Sequence, residues 1–196
     1  MEMDIMVRQV LGVSSLLLFF LLSCHKEPKE TRVLKVYDIT KIKLSDRNGQ
    51  AFLGNQLFSG KLFALNTNKD TVYKATYLNG VKEGVEIKCY VSGKINEKRR
   101  FKNGFQNGTA KGWYESGKPM FVYQFKNEAF HGVYKEWYEN GKLYRDQHFV
   151  NGLEEGVQQV YNSDGRIKVN YVIKNGRRYG LLGTKNCKNV TEKLFK

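Results

Sequence analysis

Apolar and polar residues alternate with a period of two along most of this chain, and the alternating blocks themselves recur every 24 residues. Asn55, Asn79, Asn103, Asn127, Asn151 and Asn175 mark that period. A glycine follows each of them five positions later, at Gly60, Gly84, Gly108, Gly132, Gly156 and Gly180. A fixed period without insertions means one supersecondary unit copied and stacked. A unit of this length has room for two short strands. The best preserved one, 127–150, reads NEAFHGVYKEWYENGKLYRDQHFV and predicts a hairpin whose tip is Asn140-Gly141, a pair in which both residues tolerate positive φ. Ser92-Gly93, Ser116-Gly117 and Asp164-Gly165 hold the same place. A second turn joins one repeat to the next through Asn79-Gly80, Asn103-Gly104, Asn151-Gly152 and Asn175-Gly176, with Asn127-Glu128 as the exception. The expected fold is all-β, an elongated antiparallel β-hairpin repeat array. Its units are 55–78, 79–102, 103–126, 127–150 and 151–174, followed by a partial 175–182.

Strand parity predicts the buried columns, because residues two apart point the same way. On the outgoing strands these are Val85, Ile87 and Cys89, then Trp113, then Val133 and Trp137, then Val157 and Tyr161. On the return strands they are Ile95, Leu143 and Ile167 near the tip, and Tyr77, Phe101, Phe125, Phe149 and Ile173 at the far end. Aromatic columns at repeat spacing are read as packing rather than as a ligand ladder. The glycine five residues after each Asn marks a bulge or a close approach where no Cβ fits.

The order Asn-Gly, a second Gly, Trp-Tyr, then Gly-Lys resembles the bacterial variant of the MORN repeat, as found in proteins described as the YwqK antitoxin family. The residues that carry it are Asn103, Gly104, Gly108, Trp113, Tyr114, Gly117 and Lys118, and again Asn127, Gly132, Trp137, Tyr138, Gly141 and Lys142. It extends over about 55–182, with Lys69 standing where the other tips carry glycine. The resemblance implies a twisted array of hairpins used as a scaffold. Its family name also implies an alternative function, an antitoxin or immunity-like protein that neutralises a toxin.

Ahead of the repeats, residues 7–22 are apolar except for Arg8, Gln9 and two serines, and end in Leu21-Leu22-Ser23-Cys24. The run is shorter than the roughly 20 apolar residues of a membrane span and suits a signal-peptide core. Its ending looks like a lipobox, which makes Cys24 the expected lipidation site and 1–23 a lipoprotein signal peptide. Glu2 and Asp4 spoil the positive start of such a peptide, whereas a start at Met6 gives Met-Val-Arg before the apolar run. Residues 24–32 form a charged tether, and 33–54 are expected to cap the array with strands. Residues 183–196 are a C-terminal tail. The predicted address is the cell envelope, lipid-anchored, in the outer membrane if the host is Gram-negative. Cys89 and Cys187 lie just over four repeats apart, roughly 40 Å in a stacked sheet, too far for a disulfide unless the tail folds back.

The net charge of +14 becomes +15 once residues 1–23, with Arg8, Glu2 and Asp4, are removed. Part of it is ordered. Lys94, Lys118, Lys142 and Arg166 follow the tip glycine in four consecutive repeats, and Lys102, Lys126 and Lys174 form a second column. Such stripes keep an array soluble and discourage edge pairing. They can also face an anion, and for an anchored protein the nearest anions are head groups or envelope polymers. Lys94, Lys118, Lys142 and Arg166 are therefore the candidate binding residues. Their partner would be the membrane, an unknown protein or an anionic envelope component. Nucleic acid is the usual partner for a pI near 9.6, but a lipobox argues against it.

Outside the repeats too little chain remains for a separate catalytic domain. Of the three histidines, His131 and His148 could approach across a hairpin, yet neither has Cys or Asp at metal-ligand spacing. No catalytic residue, metal ligand or cofactor is predicted.

Overall fold

The computed structural model describes residues 33–182. The signal segment, Cys24, the tether, the tail and Cys187 lie outside the described residues. Within them the chain is a sheet of hairpins, almost wholly antiparallel. The outgoing strands are Gly60–Leu65, Gly84–Cys89, Gly108–Trp113, Ala129–Trp137 and Gly156–Tyr161, and the return strands are Thr71–Leu78, Ile95–Lys102, Pro119–Lys126, Leu143–Val150 and Ile167–Lys174. They pair in sequence order and end on Arg177–Leu182. Val36–Asp38 lies against Gly60–Leu65 in parallel, Tyr37 opposite Leu62. Leu44–Arg47, Gln50–Leu53 and Gln56–Leu57 make a separate three-stranded sheet.

The two kinds of turn exchange the roles expected of them. At the tip, Gly141 alone of Asn140-Gly141 has a left-handed φ, 87°. Its N–H donates to the Tyr138 carbonyl at 2.8 Å, and the Tyr138 N–H donates to the Lys142 carbonyl at 2.9 Å. That is a three-residue loop closed by one left-handed residue, not a two-residue turn. The register then slips by one, Gly112 facing Phe121 while Trp113 faces Pro119, which leaves Met120 as a bulge. The two-residue turns are those between repeats. Asn79 and Gly80 have φ of 49° and 82°, and Leu78 pairs with Val81 across them. Both unusual tips and turns keep the geometry, with Lys69 at φ 66° in the first tip and Glu128 at φ 66° after Asn127. Asn55 departs from its column, since its neighbour Gly54 takes the left-handed φ instead.

The predicted core columns do not share a face. Gly84 pairs with Phe101 and Val85 with Arg100, so the phenylalanine column and the valine-to-tryptophan column point to opposite sides of the sheet. The error is one of parity at the junction, where the outgoing strand begins on the glycine. The face bearing Phe101, Phe125 and Phe149 is the inner one. Its fully covered residues include Leu62, Ala75, Glu86, Ala110, Phe121, Gln158, Tyr171 and Ile173, all on columns that the glycine starts. Val85, Ile87, Cys89, Trp113, Val133, Trp137, Val157 and Tyr161 are only half-buried. In the fifth repeat Asn170 and Val172, on this outer side, are buried as well.

An aromatic block fills the inner face in the middle repeats. Phe121 stacks on Tyr123 at 4.4 Å between centroids, Tyr123 on Tyr134 at 4.3 Å, and Phe130 meets Phe125, Tyr134 and Phe149. Each such pair adds about 0.5–1.5 kcal/mol beyond burial. Ionic and polar contacts flank the block. Lys82 donates to Glu86 at 2.6 Å, Arg99 to Glu97 at 2.9 Å, and Tyr171 to Glu154 at 2.8 Å.

The glycine requirement is conformational more often than steric. At Gly84 an added Cβ would meet nothing, whereas at Gly60, which has no left-handed φ, it would lie 2.8 Å from the Tyr37 ring. Gly132 suffers both limits, with φ 104° and the Gln124 side chain in the way.

Candidate anion-binding face

Three side-chain columns tie successive repeats together. Tyr90, Tyr114 and Tyr138 donate through their hydroxyls to the carbonyls of Trp113, Trp137 and Tyr161, at 2.9, 2.7 and 2.9 Å. Lys94, Lys118 and Lys142 donate through Nζ to the carbonyls of Glu115, Glu139 and Asp164, at 3.0, 3.1 and 2.8 Å. At the other end of the hairpins, the N–H groups of Asn79, Asn103 and Asn151 donate to Ser59 Oγ, Glu83 Oε2 and His131 Nδ1.

The candidate tip residues are thus placed as a line of exposed cations, three of them each with one of its N–H donors bonded to the next tip. Arg166 instead sits 3.5 Å from Asp164 of its own tip. An ammonium has three donors, so the stripe keeps capacity for an anion while also holding the tips together. The structure does not bring these four onto the residues of a cleft.

A second set of cations, not singled out by the sequence columns, occupies the outer face. Lys61, Lys74, Lys98, Arg100 and Lys111 are all exposed. By register they share one side. Lys98 pairs with both Ile87 and Lys111, and Lys74 also pairs with Ile87, while Arg100 pairs with Val85 and Lys61 with Thr76. Across the strands from Gly60–Leu65 to Gly108–Trp113 no Asp or Glu points to this side, because Glu86 and Glu97 both face inward. The carboxylates of the outer face flank this set, Asp38 opposite Phe63 at one edge and Asp146, 3.0 Å from Lys135, in the fourth repeat. Parity along each strand was the signal that could have found the set.

Two clefts indent this face. One, of about 330 Å³, is lined by Val85, Lys98, Arg99, Arg100, Thr109, Lys111 and Trp113. The other, of about 470 Å³, is lined chiefly by Val36, Phe63, Leu65 and Ile87, with Lys61 and Lys74 beside them. Val85 belongs to both.

Burial and neighbouring groups shift several ionisable side chains among the described residues. Burial, followed by the Glu86 charge, pushes the Tyr73 hydroxyl well above its usual range. Burial, followed by the hydrogen bond to Glu136, does the same for Tyr123. Burial also raises the Cys89 thiol, which keeps it from the thiolate form that reacts. Arg99 holds the Glu97 carboxyl below the usual carboxylate range through its hydrogen bond. His131 is occupied with Asn151, and His148 lies exposed opposite Val133. Among the described residues no group of three His, Cys, Asp or Glu side chains could hold a metal ion.

A comparison with curated proteins found no match. Two segments, residues 106–127 and 130–151, match the family model described as the MORN repeat variant, and their limits fall on the third and fourth hairpins of the array.

Proposed function

We propose that this is a non-catalytic lipoprotein of the cell envelope, held by lipid on Cys24 and using its repeat sheet as a binding scaffold for an anionic partner. In a Gram-negative host the anchor would lie in the outer membrane. The observation that carries the reading is the pairing of Lys98 directly opposite Lys111, on a stretch of the outer face whose strands, from Gly60–Leu65 to Gly108–Trp113, turn no carboxylate to that side. Like charges directly opposite in a sheet are destabilising. A local rule broken without compensation points to a functional surface. The match to a MORN repeat variant supports the scaffold role, and the ordered tip column of Lys94, Lys118, Lys142 and Arg166 adds a second positive edge.

Co-sedimentation tests the reading, with vesicles of anionic and of zwitterionic lipid and with envelope fragments as probes. The protein is expected to sediment with anionic vesicles or envelope fragments and not with zwitterionic ones. Lys74→Glu/Lys98→Glu/Lys111→Glu should reduce binding at least tenfold. Equal sedimentation of wild type and this variant in every arm would overturn the proposal.

A further inference from the structure

We propose that the two outer clefts act as one site for a single-chain anionic amphiphile, its phosphate or carboxylate head held by Lys98, Arg100 and Lys111 and its tail laid over Ile87 toward Phe63. The inference rests on the reading that the outer face receives anions, and it goes further in assigning one discrete ligand rather than a membrane surface.

The clefts share Val85 in their walls, and their chemistry differs from one to the other. Ligand pockets are mostly apolar, about 300–1,000 Å³, with a few polar groups that fix orientation. Each of these clefts falls in that range. Around the first, three outer-face cations stand with Thr109, and no carboxylate lines the cleft. Lys98 and Lys111 are cross-strand neighbours, so their Cβ atoms stand about 4.5–5.5 Å apart. One tetrahedral or planar anion can meet both ammonium groups, and doing so removes their mutual repulsion.

The second cleft presents mainly methyl, methylene and ring carbons. Val36 is 63% exposed and Leu65 43% exposed, so apolar surface lies open to water there. A flexible hydrocarbon would cover it, with the alkyl stems of Lys61 and Lys74 along its sides and their ammonium groups in solvent. An acidic sugar chain would satisfy the cations but would set hydroxyls against this carbon floor. The row Phe63, Lys74, Ile87, Lys98, Lys111 runs across neighbouring strands, which gives the ligand a straight path perpendicular to them.

The test titrates the full chain, carrying Trp137→Phe so that Trp113 alone reports, with dodecyl phosphate below its micelle concentration. Inorganic phosphate, a neutral dodecyl glycoside and anionic vesicles form the other arms. Dodecyl phosphate is expected to saturate the Trp113 signal at least tenfold more tightly than either soluble control. Lys98→Gln/Lys111→Gln should remove that advantage with a melting temperature that does not fall, since the variant also loses a like-charge pair. Ile87→Asn should bring dodecyl phosphate down to the affinity of inorganic phosphate. Equal affinity for dodecyl phosphate and inorganic phosphate would overturn the site, as would binding unaffected by Lys98→Gln/Lys111→Gln. Binding to anionic vesicles with no preference for the soluble amphiphile would overturn this inference and leave the scaffold reading standing. No binding in any arm would sink both.

Discussion

The hydroxyl of Tyr114 donates to the carbonyl of Trp137, 2.7 Å away and almost one full repeat ahead in sequence. Tyr90 and Tyr138 repeat the contact. The second, third and fourth hairpins are therefore each bonded to their successor by a tyrosine side chain as well as by backbone pairs. Tyr114→Phe keeps the ring and leaves that carbonyl without its donor. A loss of about 1 kcal/mol is expected, read as a lowered midpoint in chemical or thermal unfolding. An unchanged midpoint would show that water replaces the hydroxyl at no cost.

Two non-glycine residues are held where the other repeats have glycine. Lys69 and Glu128 both have φ of 66°, a conformation costing L-residues roughly 1–2 kcal/mol. Lys69→Gly and Glu128→Gly should each stabilise the array by about 0.5–1 kcal/mol after the entropy of the unfolded glycine is counted. Calorimetric melting of the two single variants measures it, and lower melting temperatures would refute it.

Gly132→Val should act in the opposite direction, costing more than about 1 kcal/mol, since the valine must hold φ 104° and displace Gln124. Gln124 Oε1 accepts from the Val133 N–H at 2.8 Å, so the displacement also orphans a backbone donor. Gly84→Ala, where nothing crowds the added carbon, separates the conformational cost from the steric one. Equal losses in the two variants would show that the Gln124 contact contributes nothing.

Alkaline pH should unfold the protein ahead of any general effect of charge. Burial and Glu154 raise Tyr171 from 10.0 to about 12 in the folded chain. Between those values the folded state retains a proton that the unfolded state has released. The associated stability is complete below pH 10 and is lost as the pH rises toward 12. Tyr73 and Tyr123 are shifted the same way. Melting temperature followed against tyrosinate absorbance across that window should fall steeply. Tyr171→Phe should flatten the fall.

Cys24→Ser should move the protein from the membrane fraction to the soluble fraction and remove a diacylglyceryl mass. Globomycin, which blocks lipoprotein signal cleavage, should make the unprocessed precursor accumulate. A soluble wild-type product of unmodified mass would overturn the envelope address.

The hairpin array was legible from the 24-residue spacing alone, because a period without insertions leaves no other use for an Asn-Gly pair than a turn. Which turn each pair makes was not legible. Asn140-Gly141 and Asn79-Gly80 are the same dipeptide, yet the first sits in a three-residue loop and the second in a two-residue one, a difference set by how the flanking strands pair. Face assignment failed for a related reason. Alternation fixes parity within a strand, but the junction from Phe101 to Gly84 carries it between strands, and both faces hold enough apolar residues to pass as the core. The tip lysines stand one period apart in sequence. Their bonds to Glu115, Glu139 and Asp164 could not be read, since the acceptors are backbone carbonyls and leave no mark in sequence. Among the outer cations Lys74 and Lys98 stand one period apart, as do Lys111 and Lys135, but the meeting of Lys98 with Lys111 joins strands of adjacent repeats and leaves no mark in that spacing.

The Tyr, Lys and turn-capping contacts all join a side chain in one repeat to the backbone or turn of the next. The acceptor carbonyls exist whatever the residue that bears them. A repeat from the second to the fourth can therefore be duplicated or excised in whole units of 24 residues with its tyrosine and lysine contacts remade from parts the neighbours already carry. Array length becomes a variable that evolution or an engineer can set without redesigning an interface. The outer face would lengthen in the same steps, so that the reach of the molecule and the extent of its binding surface are chosen together by the number of copies.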